Sequence, residues 1–250
     1  MSVVTVRNIQ IGRGVPKICI PLVASSREEI FREAKNISYL PFDLAEWRCD
    51  WYEGIFEEGP APVLEGLRQI LGDKPILCTF RTKEEGGARE ASPHAYRDLA
   101  KEIISCGLAD LADLELLTLS DSLREMTALA REAGVATIIS SHDFAKTPPK
   151  EEMLRRLRRM VQAGGDIAKI AVMPNSPKDV LDLLEVTWEF SKDPGNIPLI
   201  TMSMGALGCV SRLCGQTFGS ALTFGSGENA SAPGQIPASD LKRILDLLGS

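Results

Sequence analysis

The pattern of apolar and polar residues changes repeatedly along the chain between two forms, one typical of strands and one typical of helices. Short apolar runs of strand length recur, and each is followed by a longer stretch in which apolar residues repeat every three or four positions, as in an amphipathic helix. The predicted strands occupy residues 17–24, 41–50, 75–82, 111–117, 136–143, 167–174, 198–205 and 221–226. The predicted helices occupy residues 26–36, 61–72, 92–106, 120–133, 149–163, 176–191, 207–218 and 238–248.

Eight strand–helix repeats in a chain of 250 residues predict a closed (β/α)8 TIM barrel rather than an open doubly wound sheet. Each pair of successive strands is separated by the helix that a parallel crossover requires. Residues 3–12 alternate before the first repeat and predict a separate N-terminal β-hairpin. No stretch rich in Pro, Gly or Ser divides the chain, so we expect a single (β/α)8 domain over residues 1–250.

Lys169 interrupts an otherwise apolar strand at residues 167–173. A lysine there could lie at a strand edge and extend its amine to water. Alternation along the strand instead assigns it to the inward face, with Ile167, Ala171 and Met173. Because a barrel interior offers water only near its ends, this position favours a functional role for the amine.

Polar side chains also fall on the inward face near the C-terminal ends of other strands, where active sites form in this fold. Glu46 and Arg48 take this position on the second barrel strand, Arg81 on the third and His142 on the fifth. Each has a structural alternative. Glu46 and Arg48 could form a salt bridge, Arg81 could contact the helix layer, and His142 could be a hydrogen-bonded core residue. Their shared position nonetheless predicts one site.

A lysine and a histidine on adjacent strands suit carbonyl chemistry. A neutral amine attacks a ketone to form a Schiff base, which acidifies the neighbouring carbon, and a base must then remove the proton. Burial and nearby cations favour the neutral amine, and we expect the inward arginines, with Met173, Met202 and Met204, to provide that environment. His142 is the candidate proton shuttle, since His94 lies in a polar helix start and is expected at the surface.

The inward arginines, together with Arg212, indicate an anionic or polyhydroxylated substrate. A guanidinium can bind a carboxylate through two parallel N–H groups. Residues 228–237 follow the last strand and contain Ser231 and Gln235. This segment could serve as a polar lid over the site or as an ordinary connection.

Composition narrows the class of protein without identifying it. A formal net charge of -6 argues against nucleic acid as a partner, and no apolar run is long enough to span a membrane. The six cysteines form no C-x-x-C pair, and no signal peptide is evident, so we expect reduced thiols in a cytoplasmic protein. With two histidines and no metal-ligand spacing, no metal site is expected.

Seven motifs run in order from the second barrel strand to the last loop. They are EWRCD (46–50), TFRTKEEGG (79–87), SSHDF (140–144), KIAVMP (169–174), TMSMG (201–205), SRLCGQTFGSALTFG (211–225) and ASAPGQI (230–236). Together they resemble the type I 3-dehydroquinate dehydratase family. The resemblance implies a cofactor-free barrel enzyme of the shikimate pathway, which converts 3-dehydroquinate to 3-dehydroshikimate by syn elimination through a Schiff base.

The resemblance also implies roles for individual residues. Lys169 would form the imine, His142 would shuttle the proton and Glu85 would support His142. Met202 and Met204 would pack near the substrate ring. The expected substrate-binding residues are Glu46, Arg48, Arg81, Arg212, Ser231 and Gln235, with Arg212 holding the substrate carboxylate. Bacterial members of the family are commonly dimers, so a homodimer is expected.

Two other functions remain open from the residues alone. A class I aldolase also uses a barrel lysine imine, but it would cleave a sugar phosphate, and the only candidate phosphate loop is FGSG at 224–227. A barrel that binds small hydroxy acids without catalysis would carry the same cationic pocket. It would form no covalent adduct.

Overall fold

The computed structural model describes residues 2–227 and 232–249. The chain begins with the predicted hairpin, in which β1 (Val4–Val6) pairs antiparallel with β2 (Ile9–Ile11). Val6 and Ile11 are buried against the lower end of the barrel. The hairpin therefore closes the N-terminal end of the barrel and leaves the opposite end as its mouth.

Eight parallel strands follow and form the barrel. They are β3 (Lys17–Leu22), β4 (Leu44–Arg48), β5 (Ile76–Thr79), β6 (Leu111–Glu115), β7 (Ala136–Asp143), β8 (Ile167–Val172), β9 (Leu199–Ser203) and β10 (Leu222–Ser226). The sheet runs from β10 through β3 to β9, and a two-residue strand β11 (Ile236–Pro237) extends it beyond β10. Closure comes from the backbone N–H of Ala221, which donates to the Leu199 carbonyl at 2.7 Å. The (β/α)8 barrel prediction is confirmed.

Helices cover the outside of the barrel. They are α1 (Arg27–Ile37), α2 (Ala61–Leu71), α3 (Pro93–Ser105), α4 (Leu123–Ala133), α5 (Lys150–Gln162), α6 (Pro177–Ser191), α7 (Gly205–Gly208), α8 (Val210–Leu213), α9 (Gly215–Phe218) and α10 (Ala238–Leu248). Capping residues mark the starts of two of these helices. Ser92 caps α3 by accepting from the backbone N–H of Ala95, and Ser176 forms a capping box with Asp179 at α6.

The helix predicted over 207–218 is wrong as a single element, because the chain forms three short helices there. Gly208 packs so closely on β9 that a Cβ would lie 2.3 Å from the carbonyl oxygen of Ser203. Gly219 ends α9 in the left-handed region, with φ of 100°. Ser211 then accepts a hydrogen bond from the backbone N–H of Ser203. These contacts hold the segment across the end of β9.

The apolar core has two layers, one on each face of the sheet. The outer layer packs the barrel against its helices and includes Ala168, Ile170 and Val172 of β8. The inner layer fills the lower barrel and includes Ile167 and Ala171 of the same strand. The alternation predicted for β8 is thereby confirmed, and Lys169 points into the barrel.

All six cysteines are free thiols, and three of them are buried. Across residues 2–227 and 232–249, none of the helices combines the length and apolar character that a membrane-spanning segment requires.

Candidate active site

A cavity opens at the C-terminal ends of the barrel strands. Every site residue predicted from the sequence lines it except Ser231, which lies outside the described residues. The predicted residues in its wall are Glu46, Arg48, Arg81, Glu85, His142, Lys169, Met202, Met204, Arg212 and Gln235. The strands therefore bring residues separated by almost 190 positions in sequence into one pocket.

Lys169 is 4 % exposed and lies between two carboxylates. Its Nζ atom is 3.2 Å from Oδ2 of Asp113 and 3.7 Å from Oε1 of Glu46. The Phe224 ring centroid is 4.5 Å from the same nitrogen, in cation–π geometry. The environment thus differs from the expectation that inward arginines would face the amine. The ion pairs of the amine in the described part of the chain are both with acids, so it lies against two negative charges.

Glu46 has a partner of its own on the neighbouring strand. Thr79 donates to Oε1 of Glu46 at 2.9 Å, and the same oxygen faces Lys169. The alternative in which Glu46 forms a salt bridge with Arg48 is wrong. The Arg48 guanidinium makes two parallel hydrogen bonds of 2.8 Å with Asp50 instead.

Asp50 is fully buried and also fixes the loop after β5. Its carboxylate accepts from the backbone N–H groups of Arg81 and Ala88. Gly87 turns so tightly in this loop that a Cβ would lie 1.8 Å from the Arg81 carbonyl oxygen. This loop carries both Arg81 and Glu85, so Asp50 positions two site residues as well as Arg48.

The side chain of Arg81 finds its hydrogen-bond partners inside the barrel. Its guanidinium donates to Asp113 at 2.8 Å, to Glu115 at 3.0 Å and to Ser140 at 3.0 Å. Burial alone would lower the pKa of Arg81, but the charges of Asp113 and Glu115 outweigh it and raise the pKa well above its ordinary value. Arg81 is therefore a fixed cation that ties together the strands beneath the cavity.

His142 and Glu85 form a pair at the side of the cavity. Oε2 of Glu85 accepts from the backbone N–H of His142 at 3.0 Å and lies 3.0 Å from Nδ1 of its ring. Burial, followed by the charges of Arg81 and Lys169, holds the pKa of His142 well below its ordinary value of 6.5. Burial raises the pKa of Glu85 to about 8, against the lowering effect of Arg81. The imidazole is accordingly neutral at pH 7 and able to accept a proton.

The tautomer of His142 follows from its partner. Because Oε2 of Glu85 already accepts from a backbone N–H, it acts as an acceptor, and Nδ1 carries the ring proton that points to it. A proton on Glu85 then sits on Oε1, which is buried and has no partner among the described residues. Nε2 remains as the basic nitrogen of the imidazole.

Arg212 lies on the opposite side of the cavity, on α8. It donates to Sδ of Met202 at 3.7 Å and to the Pro233 carbonyl at 3.2 Å, while its Nε is buried without a partner in the described part of the chain. Burial lowers the pKa of Arg212 to about 10, so it is still a cation at pH 7. No carboxylate within residues 2–227 and 232–249 forms an ion pair with Arg212, which leaves an anion-binding position.

Sequence reasoning missed the acids beneath the cavity, Asp113 and Glu115. Both lie on β6 and face inward with Leu111, so the same alternation that singled out the other strands could have found them. Glu115 accepts from Thr82 through both its backbone N–H and its hydroxyl, each at 2.9 Å. Within residues 2–227 and 232–249, no three His, Cys, Asp or Glu side chains are grouped so as to hold a metal ion.

Comparison with known proteins agrees with this geometry. A family model described as type I 3-dehydroquinase matches residues 18–250. The chain belongs to the type I 3-dehydroquinase family. It is 49% identical to the 3-dehydroquinate dehydratase of Syntrophotalea carbinolica over 99% of this chain and 98% of that protein. It is 44% identical to the Bacillus subtilis 3-dehydroquinate dehydratase, over 99% and 98%.

Solved structures of the type I 3-dehydroquinase family share the fold closely. The chain matches the Clostridium difficile type I 3-dehydroquinate dehydratase, crystallised with covalently modified comenic acid, with a TM-score of 0.95 and 46% identity. The match covers 99% of this chain and 98% of that one. The Geobacillus kaustophilus 3-dehydroquinate dehydratase matches with a TM-score of 0.95 and 41% identity, over 99% and 96%. The resemblance drawn from the sequence motifs is confirmed.

Proposed function

We propose that this chain removes water from 3-dehydroquinate to give 3-dehydroshikimate, through a Schiff base formed at Lys169, as a step of the shikimate pathway. The single observation that carries the proposal is the cavity wall itself. One buried amine, one neutral imidazole and one unneutralised guanidinium face the same cavity. Family membership over residues 18–250 supports the same substrate.

The first step joins the ketone to the protein. The Lys169 ammonium gives up a proton, and the free amine attacks the carbonyl carbon to form a carbinolamine. Return of that proton to the carbinolamine hydroxyl group lets it leave as water and produces an iminium ion. The iminium withdraws electrons from the neighbouring carbon and so acidifies its C–H bond. The covalently modified ligand in the similar Clostridium difficile structure supports covalent chemistry in a pocket of this kind.

The second step moves one proton. Nε2 of His142 takes it from the carbon beside the imine, and the same imidazole then donates it to the departing hydroxyl group, which leaves as water. Glu85 orients the ring through Nδ1 at 3.0 Å. Hydrolysis of the product imine releases the enone and restores the Lys169 amine.

Substrate binding uses the remaining charges. Arg212 holds the carboxylate, Gln235 and Ser231 contact the substrate from the loop after β10, and Arg48 and Glu46 bind its hydroxyl groups. Met202 and Met204 pack against the ring. Arg81, whose donors contact Asp113, Glu115 and Ser140, contributes by holding the floor of the site.

We further propose that residues 1–250 act as one catalytic domain in a cytoplasmic homodimer, without a cofactor. Light scattering during gel filtration tests the assembly, with a mass of twice 27.2 kDa expected. A monomeric mass would contradict the dimer and leave the reaction unaffected.

The reaction is tested by adding 3-dehydroquinate to the purified chain after extensive dialysis against a chelator. Dehydration creates a conjugated enone, so ultraviolet absorbance should rise, and the product should be 3-dehydroshikimate by NMR. Carbon–carbon cleavage products would favour an aldolase instead. Unchanged substrate with saturable binding would favour a barrel that binds without catalysis.

A further inference from the structure

Asp113 contacts the reacting nitrogen from the protein side of the cavity. Its side chain is fully buried on β6, and Oδ2 lies 3.2 Å from Nζ of Lys169. Lys169 and Glu46 both line the described cavity wall, whereas Asp113 lies behind them and is not part of that wall. Asp113 therefore reaches the amine without reaching the space that a substrate would occupy.

The two oxygens of Asp113 have different partners. Oδ1 accepts from Nη2 of Arg81 at 2.8 Å and from the Ser140 hydroxyl at 2.5 Å. These donors come from either side of β6 and fix the plane of the carboxylate, which leaves Oδ2 facing Lys169. Burial alone would raise the pKa of Asp113, but the charges of Arg81 and Lys169 and the Ser140 bond lower it. Asp113 is thus a carboxylate at neutral pH.

Charge balance explains why a carboxylate suits this position. Conversion of an ammonium and a ketone to an iminium and water conserves both atoms and charge, since R–NH₃⁺ and O=C give R–NH⁺=C and H₂O. The nitrogen therefore carries one positive charge before and after the bond forms. A fixed carboxylate beside it stabilises both states in a buried site, where an unpaired cation would be costly.

Resting on the proposed imine at Lys169, we propose that Asp113 is the counter-ion of the iminium and the positioning residue of the Lys169 nitrogen. It keeps the imine protonated, and protonation is what makes the imine an electron sink. Glu46 is the acid on the substrate side of the nitrogen and is left to bind a substrate hydroxyl.

Other charged and titratable groups face the nitrogen from several strands of the barrel. Glu46 approaches from β4 and Arg81 from the end of β5, where Asp113 and Glu115 neutralise it. His142 on β7 is held neutral, because burial keeps its pKa low. Cys19 on β3 stays a thiol, since burial raises its pKa well above the ordinary value. Asp113 is therefore the nearest fixed negative charge to the amine.

The test compares the wild type with Asp113→Asn, which keeps the shape of the side chain and removes its charge. Each protein is mixed with 3-dehydroquinate and sodium cyanoborohydride, which reduces iminium ions, and modification of Lys169 is followed by mass spectrometry from pH 5 to 10. Loss of the carboxylate should move the alkaline midpoint of trapping to lower pH by about one to three units. Asp166→Asn is the matched control, because Asp166 is a partly buried carboxylate at the opposite end of the barrel, where it accepts from the backbone N–H and the hydroxyl of Thr137, and its midpoint should stay in place.

A measurement on the wild type covers the case in which Asp113→Asn does not fold. The reference is the imine that Nα-acetyllysine forms with the same ketone in water. The ¹⁵N chemical shift should show that the Lys169 imine stays protonated up to a higher pH than this reference imine does. Equal or lower protonation would overturn the counter-ion role, as would superimposable trapping curves for Asp113→Asn and wild type. No adduct on wild-type Lys169 would instead refute the imine itself, and the counter-ion role with it.

Discussion

His142 lies one inward-facing position nearer the mouth of the barrel than Lys169 does on the adjacent strand. Ser140 of β7 pairs in register with Lys169 of β8, and His142 pairs with Ala171, two residues further along. The imidazole is consequently placed above the amine, on the side from which substrate enters. A carbon attached to the imine would extend upward from the nitrogen into the reach of that ring.

Replacement of His142 by alanine should therefore separate bond formation from elimination. We expect kcat to fall by about 100- to 10,000-fold, the usual contribution of a positioned acid–base group, while the Lys169 adduct still forms. Proton NMR in D₂O measures exchange at the carbon beside the substrate carbonyl, which should be lost with turnover. His94→Ala is the matched control, since His94 is the other histidine of the chain and is exposed beside Asp98. Normal exchange in His142→Ala would identify a different base.

The raised pKa of Glu85 should make the free energy of unfolding depend on pH. Its pKa is about 8 in the folded chain against an ordinary value of 4.5, so between these values the folded chain binds a proton that the unfolded chain releases. The free energy of unfolding contributed by Glu85 must then fall as pH rises from 4.5 through 8.

Glu85→Gln removes this titration and should gain stability relative to wild type as pH rises, by roughly a few kcal/mol at pH 9.5. Denaturant unfolding from pH 6.5 to 9.5 measures the difference, in a range where the low pKa keeps His142 neutral. A difference that stays constant or shrinks with rising pH would contradict the buried, protonated state of Glu85.

Arg212 should matter for binding more than for chemistry. Its pKa of about 10 leaves it charged at pH 7, and the buried Nε has no partner in the described chain, so a substrate carboxylate would complete its contacts. Arg212→Ala should raise KM by about ten- to a hundredfold, as expected for hydrogen bonds to a charged group. Steady-state kinetics measures this, with the exposed Arg158→Ala as control. An unchanged KM in Arg212→Ala would remove it from the carboxylate position.

The barrel was predictable because its strands carry a periodic signal that survives in a single sequence. The predicted and observed strands agree to within a few residues, and β8 shows the reason, since Ala168, Ile170 and Val172 pack outward while Lys169 points inward. The segment 207–218 was not predictable by periodicity. Its helices are interrupted by close packing of Gly208 on Ser203, which depends on tertiary contact.

The residues that form the site were easier to predict than the ion pairs and hydrogen bonds between them. Polar residues at inward positions identified Glu46, Arg48, Arg81 and His142, but their pairings depend on side-chain geometry across strands. Arg48 binds Asp50, which lies two residues further along the chain just after β4, rather than Glu46. The number of buried acids that neutralise Arg81 could likewise emerge only when β5, β6 and β7 were placed side by side.

Covalent capture of the substrate on one lysine tests the central claim most directly. The wild-type protein is incubated with 3-dehydroquinate, reduced with sodium borohydride and digested with a protease. The mass of the peptide containing residues 167–173 is then measured by mass spectrometry. Attachment at Lys169 is predicted to add the mass of the reduced ligand to this peptide alone, and the addition should vanish in Lys169→Ala. An unmodified peptide under conditions of full turnover, or attachment to a different lysine, would contradict the account.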